Sequence, residues 1–174
     1  QPTVRVWIAI VIFILMGAIA GNTEGMYMGL FLDNTVFENG SMGAPITLTD
    51  AVNIIVSVGA VISCGTAFVI GTFIEKMKNR KAFISIGYIV WGIVKLVFSA
   101  VSNENVRKIF GINEMARVIT ITATTAVTFA LILTFLRSTA ADTAFNSWLT
   151  EVSTPETSTI IEVIFTIMGF VATA

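Results

Sequence analysis

Of the 174 residues, 55% are hydrophobic and only 12% charged, whereas an ordinary soluble domain carries roughly a quarter charged residues. The 10 Lys plus Arg against 11 Asp plus Glu, with no long basic run, exclude nucleic acid as a partner. Histidine is absent and cysteine occurs once, as Cys64, which reads as a buried thiol inside an apolar stretch; this removes His/Cys metal clusters, Ser/His/Asp triads and disulfide frameworks.

Five apolar segments follow, at 6–32, 51–74, 82–101, 118–149 and 159–174. A helix needs about 20 apolar residues to cross a bilayer core of about 30 Å, and the first four segments meet that length. The expected fold is all-α, a polytopic bundle of five transmembrane helices in the lipid bilayer. The chain begins without Met and is still apolar at its end, so it reads as a piece of a longer protein.

The first span carries Gly17, Gly21, Gly25 and Gly29 at four-residue spacing, and the second carries Gly59, Ser63, Ala67 and Gly71 in the same pattern. Small stripes of this kind let helices approach closely in lipid, so both are expected to be packing faces. Within the first stripe, Gly21-Asn22-Thr23-Glu24-Gly25 is a polar interruption. It reads either as a break in the helix lining a cavity or as the point where the helix ends. Tyr27 lies about one turn further on.

The connection at 33–49 has no basic residue and carries the acceptor sequence Asn39-Gly40-Ser41, whereas 75–81 packs Lys76, Lys78, Arg80 and Lys81 into a short loop. Basic loops face the cytoplasm, which places the N-terminus there too, although Arg107, Lys108 and Arg117 then fall outside. The third span holds Lys95, one turn beyond Trp91. The fourth is rich in threonine, whose hydroxyls can bond back to the preceding turn. It runs through Arg137 and Asp142 without Gly or Pro, and α-helical spacing puts Ser138, Asp142, Phe145, Asn146 and Leu149 on one side. A carboxylate, an amide and a ring together suit a hydroxyl-rich solute, while an amphipathic helix end emerging into water is the competing reading.

Glu24, Lys95, Arg137, Asp142 and Glu162 are the expensive residues. A charge near a helix centre costs roughly 2.5 to 3.5 kcal/mol on insertion scales, so each should face protein, a partner or a wet cavity. Lys95 should either lose its proton or pair with a carboxylate such as Glu24 or Asp142. No nucleophile and base fall together at helical spacing, so no enzyme is expected.

Gly71-Thr72-Phe73-Ile74-Glu75-Lys76-Met77-Lys78-Asn79-Arg80-Lys81 is similar to the loop between helices two and three of the major facilitator superfamily, with Glu75 and Lys78 replacing the usual Asp and second Gly. With Gly87-Tyr88-Ile89-Val90-Trp91-Gly92 and the stretch from Ser138 to Glu151, the chain resembles the N-terminal half of the glycoside, pentoside and hexuronide (melibiose permease-like) sugar:cation symporters. The resemblance implies a secondary transporter of a small polar solute, a sugar or glycoside, working by alternating access in the plasma (inner) membrane against a C-terminal half. It gives Asp142 the role of the helix-four acid at the sugar and cation site, and puts Glu24 close to the helix-one acid. Gly71, Glu75 and Arg80 become a cytoplasmic gate, which Glu162 can join. The paired helix-two acids that ligate sodium have no counterpart, so the coupling cation, H+ or Na+, stays open, and no other cofactor is implied. A membrane-embedded scaffold without transport is the rival reading; it requires closed ion pairs and no cavity between the helices.

Overall fold

The computed structural model describes residues 3–173, so the final residue of the expected fifth span, Ala174, lies outside the described residues. Those residues are helical over 85% of the chain and form no strand. Helix α1 (Val4–Thr35) runs away from the N-terminus, α2 (Leu48–Glu75) returns, and α3 (Arg80–Ser99) runs out again. A short helix α4 (Asn103–Phe110) follows, then α5 (Met115–Arg137), a π-helical segment (Ser138–Ala144) and α6 (Phe145–Val152), which form one 38-residue rod. Helix α7 (Pro155–Thr173) comes last.

Five of these elements are long and apolar enough to cross a membrane, as expected for an integral membrane protein. Their outer faces carry Val4, Phe68, Val69, Leu96 and Phe170, each at least 70% exposed, the reverse of a soluble domain. The α5–π–α6 rod is the hub. Of its most apolar window 44% is buried inside the bundle, against 6% to 22% for the other spans, and it packs on α2 and α3 while α1 pairs mainly with α7.

Local chemistry sets the ends of the elements. At the start of α2, the Thr47 hydroxyl accepts from the Asp50 N–H while the Asp50 carboxylate accepts from Thr47, a reciprocal capping box. Gly111 closes α4 at φ +63°, in the left-handed region that favours glycine. Lys108 donates to Glu104 at 2.6 Å on α4, and this ammonium holds the Glu104 carboxyl below the usual range. Asn103 Nδ2 donates to Val36 O at 2.8 Å, tying α4 to the end of α1 and fixing the end of the bundle opposite the basic loop.

Three expectations change. Span one is not broken: α1 is continuous through Glu24, and the Thr23 hydroxyl returns to Ile19 O at 2.7 Å, so that hydroxyl is satisfied within the helix. The stripe on α1 is not a packing face along its whole length. A methyl group added at Gly17 would approach the Tyr88 hydroxyl, but at Gly21, Gly25 and Gly29 it would meet nothing within 4 Å. The stripe on α2 does pack, through Gly59 against Thr134 and Gly71 against Thr143. Cys64, far from being a buried thiol, lies exposed on α2. The threonines of α5 behave as expected, with Thr120, Thr122, Thr124 and Thr128 bonding to carbonyls one turn back at 2.7 to 2.8 Å.

Of the glycines, Gly87 leaves the least room: a Cβ added to it, on α3, would stand 2.5 Å from the Ala140 Cβ of the π segment. Ala140 is fully buried and has no flexible end to move aside. Gly87→Ala is therefore expected to lower stability by about 1 to 3 kcal/mol through overpacking. Gly92→Ala, where the added methyl meets nothing within 4 Å, should instead gain about 0.5 to 1 kcal/mol from helix propensity. Thermal unfolding of the two variants in detergent checks the contrast.

Candidate functional site

The π segment decides what the middle of the bundle presents. In an α-helix with 3.6 residues per turn, residues five apart point about 140° away from each other. A π turn bonds residue i to i+5 and so brings residues five apart onto the same side of the helix. The Phe145 N–H bonds to Ala140 O in this way. Arg137 and Asp142, five apart, consequently face the same interior space, with Arg137 Nε 3.9 Å from Asp142 Oδ2. The single face expected for 138–149 is divided: Ser138, Phe145 and Leu149 are buried, whereas Asp142 and Asn146 are exposed.

Two hollows flank Arg137. One, of about 450 Å³, lies among α1, α2 and α5 and is bordered by Glu24, Gly25, Gly29, Ser63 and Thr134. The other, of about 390 Å³, is bordered by Gly17, Gly21 and Asn22 of α1, Tyr88, Asp142, and Phe165 of α7. Arg137 borders both. The glycines of α1 that contact nothing are thus the ones that leave room for this space. Both volumes lie in the range of small-molecule pockets.

Aromatic rings wall the second hollow. Phe13 stacks on Tyr88 with centroids 5.5 Å apart and meets Phe145 edge-on at 5.9 Å, and Phe145 in turn meets Phe165 at 6.1 Å. The Tyr88 hydroxyl donates to Phe13 O at 3.3 Å, pinning α3 to α1. Asp142 enters this hollow with 56% of its side chain accessible.

Lys95 is fully engaged. Its ammonium lies 3.4 Å from Glu24 Oε2, donates to Ala20 O at 2.8 Å and sits 4.6 Å from the centre of the Trp91 ring. The Glu24 side chain is only 8% exposed, so the ammonium is what makes its burial tolerable. The partner of Lys95 is therefore Glu24 and not Asp142. Tyr27 does not join these residues: it is 58% exposed and borders neither hollow. Asn146 is exposed and borders neither. Phe145, 2% exposed, presents its ring to the second hollow.

At the basic-loop end, Arg80 holds three chain segments together. Its Nε donates to Ile74 O and its Nη2 to Glu75 O, both at 3.1 Å, satisfying carbonyls at the end of α2. Its Nη1 donates to Glu151 Oε2 at 3.0 Å. Gly71, Glu75 and Arg80 border one groove with Ser147 and Glu151, while Glu162 stands apart on α7 and enters none of the ion pairs found among the described residues. Lys81 lies 5.8 Å from the centre of the Trp148 ring on the same end.

Sequence reasoning missed Glu151 as the partner of Arg80 and missed the central position of Arg137. Arg137 had a signal, a cation closing an apolar run, but its direction depends on the π turn. Comparison with family models, curated proteins and solved structures finds no match to this chain.

Lys95→Met alone should cost about 3 kcal/mol by stranding the Glu24 carboxylate, and Glu24→Gln added to it should recover most of that loss. Additive losses in unfolding measurements would show that the two charges do not depend on each other. Arg80→Ala should cost about 2 kcal/mol, because it frees two helix-end carbonyls as well as Glu151. Glu151→Gln should cost less than about 1 kcal/mol, since Glu151 is 60% exposed.

Proposed function

We propose that the chain is the N-terminal helical half of a secondary transporter that carries a small polar solute, a sugar or glycoside, across the plasma (inner) membrane by alternating access. The observation that carries this reading is the pair of hollows meeting at Arg137, bordered by Glu24 in one and Asp142 in the other. Charges that serve only helix assembly have no need of adjoining space of solute size. Hydrocarbon makes them costly unless they border protein or water, and transporter sites lie near the bilayer midplane, between helices.

The resemblance to the sugar:cation symporter branch of the major facilitator superfamily supports the same reading and assigns Asp142 to the solute and the coupling cation. Phe145 and its neighbouring rings offer apolar faces beside that carboxylate, a combination suited to a polyol. In this scheme a second helical half closes over the exposed side of the hollows. The Arg80–Glu151 bridge then belongs to the cytoplasmic gate, with the N-terminus and the basic loop on the cytoplasmic side. Helix α2 places no carboxylate between Asp50 and Glu75, which favours H+ over Na+ as the coupling cation.

The rival scaffold reading requires closed ion pairs without adjoining space. Closed geometry describes Glu24 and Lys95; it does not describe Arg137 and Asp142, 3.9 Å apart beside a hollow of about 390 Å³. Uptake by the full-length protein in proteoliposomes decides between the two. Asp142→Asn should lower uptake by about tenfold, in keeping with one altered charge-assisted contact. Transport and solute affinity both unchanged would remove Asp142 from the site.

A further inference from the structure

Among the described residues, Arg137 is the one interior cation whose hydrogen-bonding capacity is not taken up. Lys95 has a carboxylate, a carbonyl and an aromatic ring around it. The Arg137 guanidinium carries five N–H donors, yet no hydrogen bond to it is found among the described residues. Asp142 Oδ2 at 3.9 Å from Nε is beyond hydrogen-bond distance. One third of the Arg137 side chain is accessible, and it borders both hollows.

A guanidinium edge with free parallel donors matches the two oxygens of a carboxylate. The surroundings add what an acidic solute needs. The Asn22 amide can donate or accept, the Phe145 and Phe165 rings cover apolar carbons, and the Glu24 charge is already neutralised by Lys95. Asp142 is the single competing anion in that hollow, and it sits on the same wide turn as Arg137. π turns inside α-helices occur frequently at functional sites.

We infer that Arg137 is the solute-anchoring residue and that the solute carries a carboxylate, which takes Arg137 from Asp142 on binding and returns it on release. This inference rests on the carrier reading and narrows its substrate class from small polar solutes in general to those that carry a carboxylate. No bond is made or broken; one counter-ion replaces another. Asp142 acts as a stand-in for the solute in the empty state. Its removal should therefore slow transport by letting the acid stay bound too long, while tightening equilibrium binding.

The test is ligand binding to the full-length protein in lipid nanodiscs, with solute pairs that differ chiefly in the acid group: gluconate against sorbitol, and lactate against propane-1,2-diol. The expected result is binding of at least one acid in preference to its neutral partner. Asp142→Asn should tighten that binding by about threefold or more, and Arg137→Gln should weaken it by about tenfold or more. Because Arg137→Gln alone strands Asp142 and can impair folding, Arg137→Gln with Asp142→Asn keeps the interior charge balanced and should also fail to bind the acid. Neutral solutes binding as well as their acids, or an acid bound equally well by the double variant, would overturn the inference. A neutral polyol bound in an Asp142-dependent way, with no acid bound, would overturn the inference and leave the carrier reading standing. No binding of any probe together with no uptake by the full-length protein would overturn both.

Discussion

Charge inside hydrocarbon is the constraint on which the rest of the structure depends. A buried carboxylate such as Glu24 is tolerable only with a cation beside it, and Lys95 supplies that cation from a different helix. The pairing fixes α3 against α1 at this depth, and the contact of Lys95 with Ala20 O and the bond from the Tyr88 hydroxyl to Phe13 O extend the same alignment. These polar contacts act together with the Phe13–Tyr88 and Phe31–Phe98 ring contacts in placing α1 against α3, because lipid offers helices little hydrophobic drive to associate.

Apolar packing instead gathers on one element. The α5–π–α6 rod buries its small residues Ala123, Ala126, Ala130, Ala140 and Ala144 against α2 and α3. Thr122 and Thr134 satisfy their hydroxyls within their own helix, so neighbouring backbones can approach there without leaving these groups unpaired, whereas Thr139 Oγ1 on the π segment is buried without a partner. The hollows lie where that packing is interrupted, beside the glycines of α1 that touch nothing. Space and charge coincide there because both follow from residues that do not fill the interior.

Much of this was legible in the sequence. Length and hydropathy gave five spans close to their observed bounds, since the thickness of the bilayer leaves few alternatives to a helix. The cost of charge singled out Glu24, Lys95, Arg137 and Asp142 without any knowledge of their neighbours. What stayed hidden depended on geometry absent from one-dimensional spacing. A π turn leaves no clear mark in Ser138-Thr139-Ala140-Ala141-Asp142-Thr143-Ala144, so the face of the rod beyond Arg137 was assigned with the wrong period. The glycine stripe of α1 looked like a packing motif because small residues permit close approach, but they equally permit emptiness. The Arg80–Glu151 bridge joins residues 71 apart, and no local pattern pairs them.

The contact of Gly87 with Ala140 bears on more than local fit. A wide turn holds one surplus residue, and within a long helix such a surplus can migrate along the rod like a dislocation in a crystal, rotating every side chain it passes. With Ala140 seated against bare backbone on α3, the defect is anchored to one place. Helix α6 and its Glu151 are thereby held in register with the loop below, and the wall of the hollow keeps a single phase.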